Sequence, residues 1–404
     1  MINYSRGRRM RPRFLVLLLI SSSACSGKVS DELVTDQWDS TDVIIVENEA
    51  PLYTEPLFEF QWDLRIGGDE DGPDWQLFAS PPTRILTCPD GTMIFGDSRR
   101  EEFYIVSTTG KLLHRLGGQG SGPGEFQNLW YNHWAEYGKE FWYEDQRLNR
   151  VTRFSVDGEL LGTFNYGRER IIWDQFLDCG NRQWLGVGER EVFEGSPQRY
   201  SILDDRFHEL YGFIELNSTQ FLRIDRTGYP KPFRGSERAI PLINRDQILV
   251  VRSYPGELTI YGIDGQPQIS IRKEWEASRV SQADIAWWKS TRGGMGGKEL
   301  LDKMDFPDRR PLFSVVRIDD QGRIWVTRSR RPRSSKDEED IPPVIDLFSP
   351  DGRWIGTVQT PVFPFMISGG YLYDAPFTQE TAPYLERWKI VPLVPEAAGE
   401  ISYE

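Results

Sequence analysis

From Arg84 to Val391 the chain alternates apolar and polar residues in short runs, broken at intervals by Asp-Gly, Gly-Gly or similar pairs. A period of two marks strands with one face buried, and the turn pairs fix where each strand ends. The clearest unit runs from Trp134 to Phe164. Trp134–Tyr137, Gly138–Tyr143, Arg150–Ser155 and Glu159–Phe164 each read as a strand, with Asp157-Gly158 as the hairpin turn between the last two. Four antiparallel strands per repeat form the blade of a β-propeller.

The same plan fits residues 84–117, 176–213, 240–271 and 315–358, while 365–391 lacks a convincing fourth run. FEFQWDLRIGG, residues 58–68, supplies the missing run, because it is patterned like a fourth strand although no blade precedes it. The expected fold is all-β: a six-bladed β-propeller over residues 56–391, closed by an N-terminal strand that hides both sheet edges.

LGGQGSGPGEF (116–126) is rich in glycine, and His114–Pro123, which overlaps it, matches Leu64–Pro73, with Gly-Gly and Gly-Pro at the same offsets. A phosphate-cradling loop would need a Lys-Ser or Lys-Thr pair, or a helix opening at the last glycine. Glu125-Phe126-Gln127-Asn128 follows instead. Self-similarity at this period marks a repeat architecture, so the glycine-rich stretches read as crossings between one blade's outer strand and the next blade's inner strand. Residues 274–312 break the plan. Helical patterning around Ala277–Lys289 and Lys298–Met304, separated by Gly-Gly-Met-Gly-Gly, predicts a helical hairpin inserted between blades four and five.

The termini change the picture in one respect. Five arginines, a short apolar run from Phe14 to Ile20, and Ser21-Ser22-Ser23-Ala24 have the order of an export signal over residues 1–24. The apolar run is too short to span a bilayer. Cys25 directly after Ala24 resembles a bacterial lipobox. That resemblance implies lipidation at Cys25, a tether and lead-in over residues 25–55, and an outer-membrane lipoprotein facing the periplasm. Loss of the signal leaves 43 basic against 61 acidic residues, a net of −18. Such a chain has no footprint for nucleic acid, so membrane contact would come from the acyl chains. Residues 392–404 form an acidic tail. Cys88 and Cys179 occupy the same place in two non-adjacent repeats, which predicts two buried free thiols.

With GGQGSGPGEF followed by YEDQRLNRVTRFSVDGELLGTF, the chain resembles the NHL-repeat proteins, and among them the six-bladed propeller lipoproteins of bacteria. Asp145, Asn149, Arg150 and Val151 match the segment that opens the third strand of such repeats. The resemblance covers about residues 58–391; it implies the fold and little about chemistry. Some propellers of this kind are zinc lyases with channel-lining histidines. Here His114 falls in an outer strand and His208 in a third-to-fourth-strand turn. Only His133 approaches an inner strand, and no metal or other cofactor is expected. There is no Gly-x-Ser-x-Gly elbow for hydrolysis and no Asp-rich calcium loop. Asp204-Asp205 and Asp319-Asp320 belong to hairpin turns, where Asp is favoured for backbone reasons.

Blade-to-blade crossings and second-to-third-strand turns share one face of a propeller, and loop residues there are free to serve a ligand. That face collects Asp97, Arg99 and Arg100 from the first blade, and Trp130, Tyr131, His133, Glu144, Asp145 and Arg147 around the second. Arg190, Arg252 with Tyr254, and Arg328 with Arg330 follow from the next three. The expected function is a monomeric, membrane-tethered binding or scaffold module for a protein, peptide or glycan of the cell envelope. A channel-centred lyase or hydrolase, with a metal held by carboxylates, is the alternative.

Overall fold

The computed structural model describes residues 43–395, apart from 69–77, 81, 83–84, 89, 130–133, 138–139, 146, 166–171, 181–182, 190–196, 217–220, 225–226, 231–232, 234–236, 243–245, 293–303, 330–341 and 377–381. Two strands, β1 (Ile44–Asn48) and β2 (Phe58–Gly67), precede the blades. Blade 1 holds β3 (Ile85–Thr87), β4 (Met93–Asp97), β5 (Glu102–Val106) and β6 (Leu112–Gly117); blade 2 holds β7 (Trp134–Tyr137), β8 (Glu140–Asp145), β9 (Arg150–Ser155) and β10 (Leu160–Asn165). Blade 3 is β11 (Ile172–Asp178), β12 (Trp184–Glu189), β13 (Gln198–Leu203) and β14 (Glu209–Leu216), followed by a separate hairpin of β15 (Phe221–Ile224) and β16 (Thr227–Pro230). Blade 4 is β17 (Glu237–Pro241), β18 (Gln247–Arg252), β19 (Glu257–Gly262) and β20 (Pro267–Lys273), after which comes α1 (Gln282–Arg292). Blade 5 is β21 (Phe313–Ile318), β22 (Ile324–Arg328), β23 (Val344–Phe348) and β24 (Trp354–Gln359). Blade 6 has β25 (Met366–Ser368), β26 (Tyr371–Asp374) and β27 (Tyr384–Pro392), with β2 as its outer strand.

The expected closure is therefore present. β2 pairs antiparallel with β27 from Phe58↔Pro392 to Gly67↔Tyr384. The buried side chains confirm a ring, because each blade interface has its own apolar cluster. Ile94 and Phe103 of blade 1 meet Phe141, Tyr143 and Phe154 of blade 2, and Ile66, Tyr373 and Leu385 of blade 6 meet Ile85, Met93 and Phe95 of blade 1. The other four interfaces are filled in the same way. Burying each of these large side chains contributes roughly 1.5–3 kcal/mol. Arg387 ties the seam between last and first blade. Its Nε donates to Asp63 (2.6 Å) and its Nη1 approaches the Met93 sulfur (3.6 Å).

Turn chemistry explains why Asp-Gly recurs between third and fourth strands. Gly158 and Gly352 have φ of 87° and 88°, where a side chain is strained. A Cβ there would also come 2.9 Å from His114 and 2.6 Å from Ile271, each on the outer strand of the preceding blade. The turn of one blade thus packs directly on its neighbour. Cys88 and Cys179 are buried free thiols, as expected, and burial pushes the Cys179 thiol up to about 12.

Three features depart from the sequence reading. Within the stretch read as tether and lead-in, β1 adds to blade 4 as a fifth strand, parallel to β20 from Ile44↔Ile269 to Asn48↔Lys273. The chain then continues along blade 5, where the N–H groups of Leu52 and Tyr53 donate to the carbonyls of Trp354 and Ile355. The β15–β16 hairpin is a second addition to the four-strand plan. Third, the inserted helix starts at Gln282, five residues after the predicted Ala277. Ser281 caps it: Ser281 Oγ accepts from Asp284 N (3.2 Å), and Asp284 accepts from Ser281 N (2.8 Å). The residues before the cap pair instead with the end of the insertion, Val280 with Asp308 and Arg310 with Ser278. The second predicted helix lies mostly outside the described residues, but Met304 is described, is not helical, and packs on Trp288.

Candidate functional site

The second-to-third-strand turns and the blade crossings do share a face, and a buried acid organises it. Asp97, at the end of β4, accepts from the N–H of Ala79 (2.7 Å), from Ser80 Oγ (2.9 Å) and from the N–H of Arg99 (3.0 Å). Asp145, at the end of β8, accepts from the N–H of Gln127 (2.7 Å) and of Leu148 (3.1 Å). Each carboxylate holds both the turn it starts and the crossing that arrives from the preceding blade. Phe78 and Phe126, just before the two captured N–H groups, are the buried wedges of their crossings. The two crossings thus end at equivalent phenylalanines, while residues 69–77 of the first glycine-rich stretch lie outside the described residues.

The stretch LGGQGSGPGEF closes on itself. Phe126 N donates to Gly118 O and Gly120 N to Phe126 O (2.9 Å each), and Glu125 accepts from Gly122 N (2.8 Å). Arg150 of the Asn-Arg-Val segment reaches across, its Nη1 donating to Ser121 O (3.0 Å) and its Nη2 to Glu125 O. The glycines serve this packing.

Ladder register shows which turn residues are equivalent. Met93↔Val106, Phe141↔Phe154, Trp184↔Leu203, Ile248↔Tyr261 and Ile324↔Phe348 all sit just before the third-to-fourth-strand turn. Four residues further along each second strand stand Asp97, Asp145, Gly188, Arg252 and Arg328. Two residues beyond those come Arg99, Arg147, Arg190, Tyr254 and Arg330. One turn position in blades 1, 2 and 4 thus carries arginine or tyrosine; Arg190 and Arg330 have the same sequence offset in blades 3 and 5 but lie outside the described residues.

Where described, these side chains point to solvent. Arg99 is exposed; its backbone N–H donates to Asp97, and its guanidinium makes no hydrogen bond or ion pair among the described residues. Arg147 is exposed, with one long contact from Nη1 to Gln127 O (3.4 Å). Tyr254 is 61% exposed and stands on a firm base, since Leu312 N donates to Ser253 O (3.0 Å) and a Cβ on Gly256 would meet Leu312 at 2.3 Å. The other candidates are more engaged. Arg100 is half-buried beside Asp97 (3.8 Å), and Arg252 lies 3.4 Å from Glu257. Arg328 is structural: it forms a fork with Asp346, Nε to Oδ2 at 2.9 Å and Nη2 to Oδ1 at 2.7 Å. Trp130, Tyr131, His133 and Arg190 lie outside the described residues, as do Cys25 and Arg330.

Around Asp346, Trp275 donates its indole N–H (3.0 Å) and Lys273 brings its ammonium to 3.5 Å. Lys273 also stands over the Trp354 ring at 4.1 Å. Burial disfavours ionisation of Asp346, but the Arg328 hydrogen bond and charge, with Lys273, outweigh it and hold the carboxyl below its ordinary range. Burial pulls the Lys273 ammonium down. Here too a buried acid pins an arriving crossing, although it comes from the third strand.

Two carboxyls on this face escaped the sequence reading. Glu101 has φ of 56°, equivalent to Asn149 at 48°, and its carboxylate accepts from Leu129 N. Burial pushes it above its ordinary range against that hydrogen bond, with Asp145 adding to the rise and Arg147 opposing it. Asp374, at the end of β26, is pushed up to about 6 by burial and by Glu386. Neither belongs to a motif; only the strand-end placement could have flagged them. Among the described residues no group of three or more His, Cys, Asp or Glu side chains is placed to hold a metal ion. His114 lies on outer strand β6, and His208 sits in the β13–β14 turn, 3.2 Å from Asp204.

No protein-family model matches the chain, and no curated protein matches it in sequence. Solved structures match in fold. A member of the DUF4221 family from Bacteroides vulgatus is 11% identical, with 83% of this chain and 99% of that one covered and a TM-score of 0.49. A Bacteroides fragilis protein described as exported is 13% identical over 86% and 99%, with a TM-score of 0.47. Regucalcin, a calcium-binding protein from Agrobacterium tumefaciens, is 9% identical over 87% and 97%, with a TM-score of 0.38.

Proposed function

We propose that the protein is an exported, envelope-tethered propeller that acts as a binding or scaffold module through its loop-rich face. The observation that carries this is the register-equivalent turn position, occupied by exposed Arg99, Arg147 and Tyr254 on turns hydrogen-bonded from beneath. Arginine and tyrosine on pre-ordered backbone are the residue types that dominate interface energetics. Export and the anchor at Cys25 rest on the order of residues 1–25; among the described residues no helix is long and apolar enough to cross a membrane.

The test is capture of envelope partners by the purified protein and by its Arg99→Glu, Arg147→Glu and Tyr254→Ala variants. Loss of the same partner from all three, with melting temperatures within a few degrees of the parent, supports the module. Unchanged capture overturns it. The raised carboxyls of Asp374 and Glu101 favour a channel-centred lyase or hydrolase as a second reading. A melting temperature that falls with chelator would favour that reading, because a bound metal stabilises the native state.

A further inference from the structure

The turns of blades 1 and 2 read DSRREE (97–102) and EDQRLNR (144–150), so in sequence their acids balance or outnumber their arginines. Folding separates the two signs. Asp97 and Asp145 are buried against backbone N–H groups. Glu101 is turned onto Leu129 N. Glu102 is buried against the Tyr104 hydroxyl (2.8 Å) and Arg115, and Glu144 is buried as well. Arg150 is turned inward onto two carbonyls. Arg100 is half-buried beside Asp97 (3.8 Å) and Glu101 is half-buried near enough to Arg147 to interact with it; the charged side chains left exposed are Arg99 and Arg147, at equivalent positions one blade apart.

We propose that this sector docks a short acidic segment of a polypeptide partner, each guanidinium taking a carboxylate in fork geometry. The proposal rests on the binding-module reading and names its partner's chemistry. A chain with a net charge of −13 repels a uniformly charged polyanion. A short acidic segment in an otherwise neutral partner feels mainly the local field, because charges are screened beyond about 8–10 Å at physiological ionic strength. Tyr254, on blade 4, offers the same partner an aromatic contact across the face.

The test uses the full chain and a fluorescein-labelled peptide carrying a block of glutamates between neutral residues, read by anisotropy, with sodium polygalacturonate as the competing polyanion. The expected result is saturable, salt-sensitive peptide binding that the Arg99→Glu/Arg147→Glu double variant weakens at least tenfold without lowering its melting temperature, and that polygalacturonate matches only poorly. Peptide binding that the double variant leaves unchanged, or tighter binding of polygalacturonate, overturns the proposal. If the chain ignores the peptide yet still captures an envelope partner through Arg99 and Arg147, this inference fails and the module stands. If it retains neither, both fail.

Discussion

Asp97 and Asp145 each hold a turn and an arriving crossing at once, so the residues that fix the backbone and those that face solvent alternate on the same few positions. Part of this is legible in sequence. Asp204 and Asp319 belong to hairpin turns for backbone reasons, and both accept N–H bonds from the residues that follow. The division of labour among charged residues is not legible, since DSRREE does not say which side chains turn inward. Arg328 illustrates the difficulty: the sequence groups it with the loop arginines, yet by register it stands where Asp97 and Asp145 do, and Asp346, eighteen residues on, claims it. Asp374 yields a prediction at this scale. Its folded carboxyl stands at about 6, above an unfolded value of about 3.9. Between those values the folded state binds the proton and the unfolded state does not, so stability falls as pH rises through this window. Asp374→Asn is expected to flatten that slope and to melt higher than the parent at pH 7 but not at pH 4, as measured by urea unfolding across pH. Equal slopes would place the titration elsewhere.

Among elements, the four-strand unit of blade 2 was readable almost to the residue, because alternation and the Asp-Gly turn agree there. β1 was not. Five residues of IIVEN show no amphipathic period, and their partner lies more than two hundred residues away in β20. Asn48 makes this belt specific. Its amide donates to Gly352 O (3.0 Å) and Arg272 O (3.2 Å) and accepts from Trp354 N (2.7 Å), linking blades 4 and 5. Asn48→Ala orphans buried backbone groups and is expected to cost about 2–3 kcal/mol, since each such loss is worth roughly 1 kcal/mol or more. Chemical denaturation measures it, and a change below about 0.5 kcal/mol, the range of ordinary surface substitutions, would show that the belt is dispensable. The helix start was misplaced for a related reason: periodicity reaches back to Ala277, but the Ser281–Asp284 cap and the Val280–Asp308 pairing make the helix begin later, at Gln282.

For the whole molecule, the ring was legible because its closing strand carries the pattern of a fourth strand with no blade before it, and β2 does complete blade 6. The loop-rich face was legible as a location; its charge was not, because that depends on which acids the fold buries. The central claim is that this face, and not the hairpin-turn face opposite, meets the partner. The most direct measurement places a photo-reactive amino acid at Arg99, Arg147 or Tyr254, and separately at Thr109, Asp157 or Asp264 in the third-to-fourth-strand turns. Cells expressing each variant are then irradiated and the adducts compared. Adducts to one common partner from the first set alone are the predicted result; adducts from the second set, or none from the first, would contradict the account.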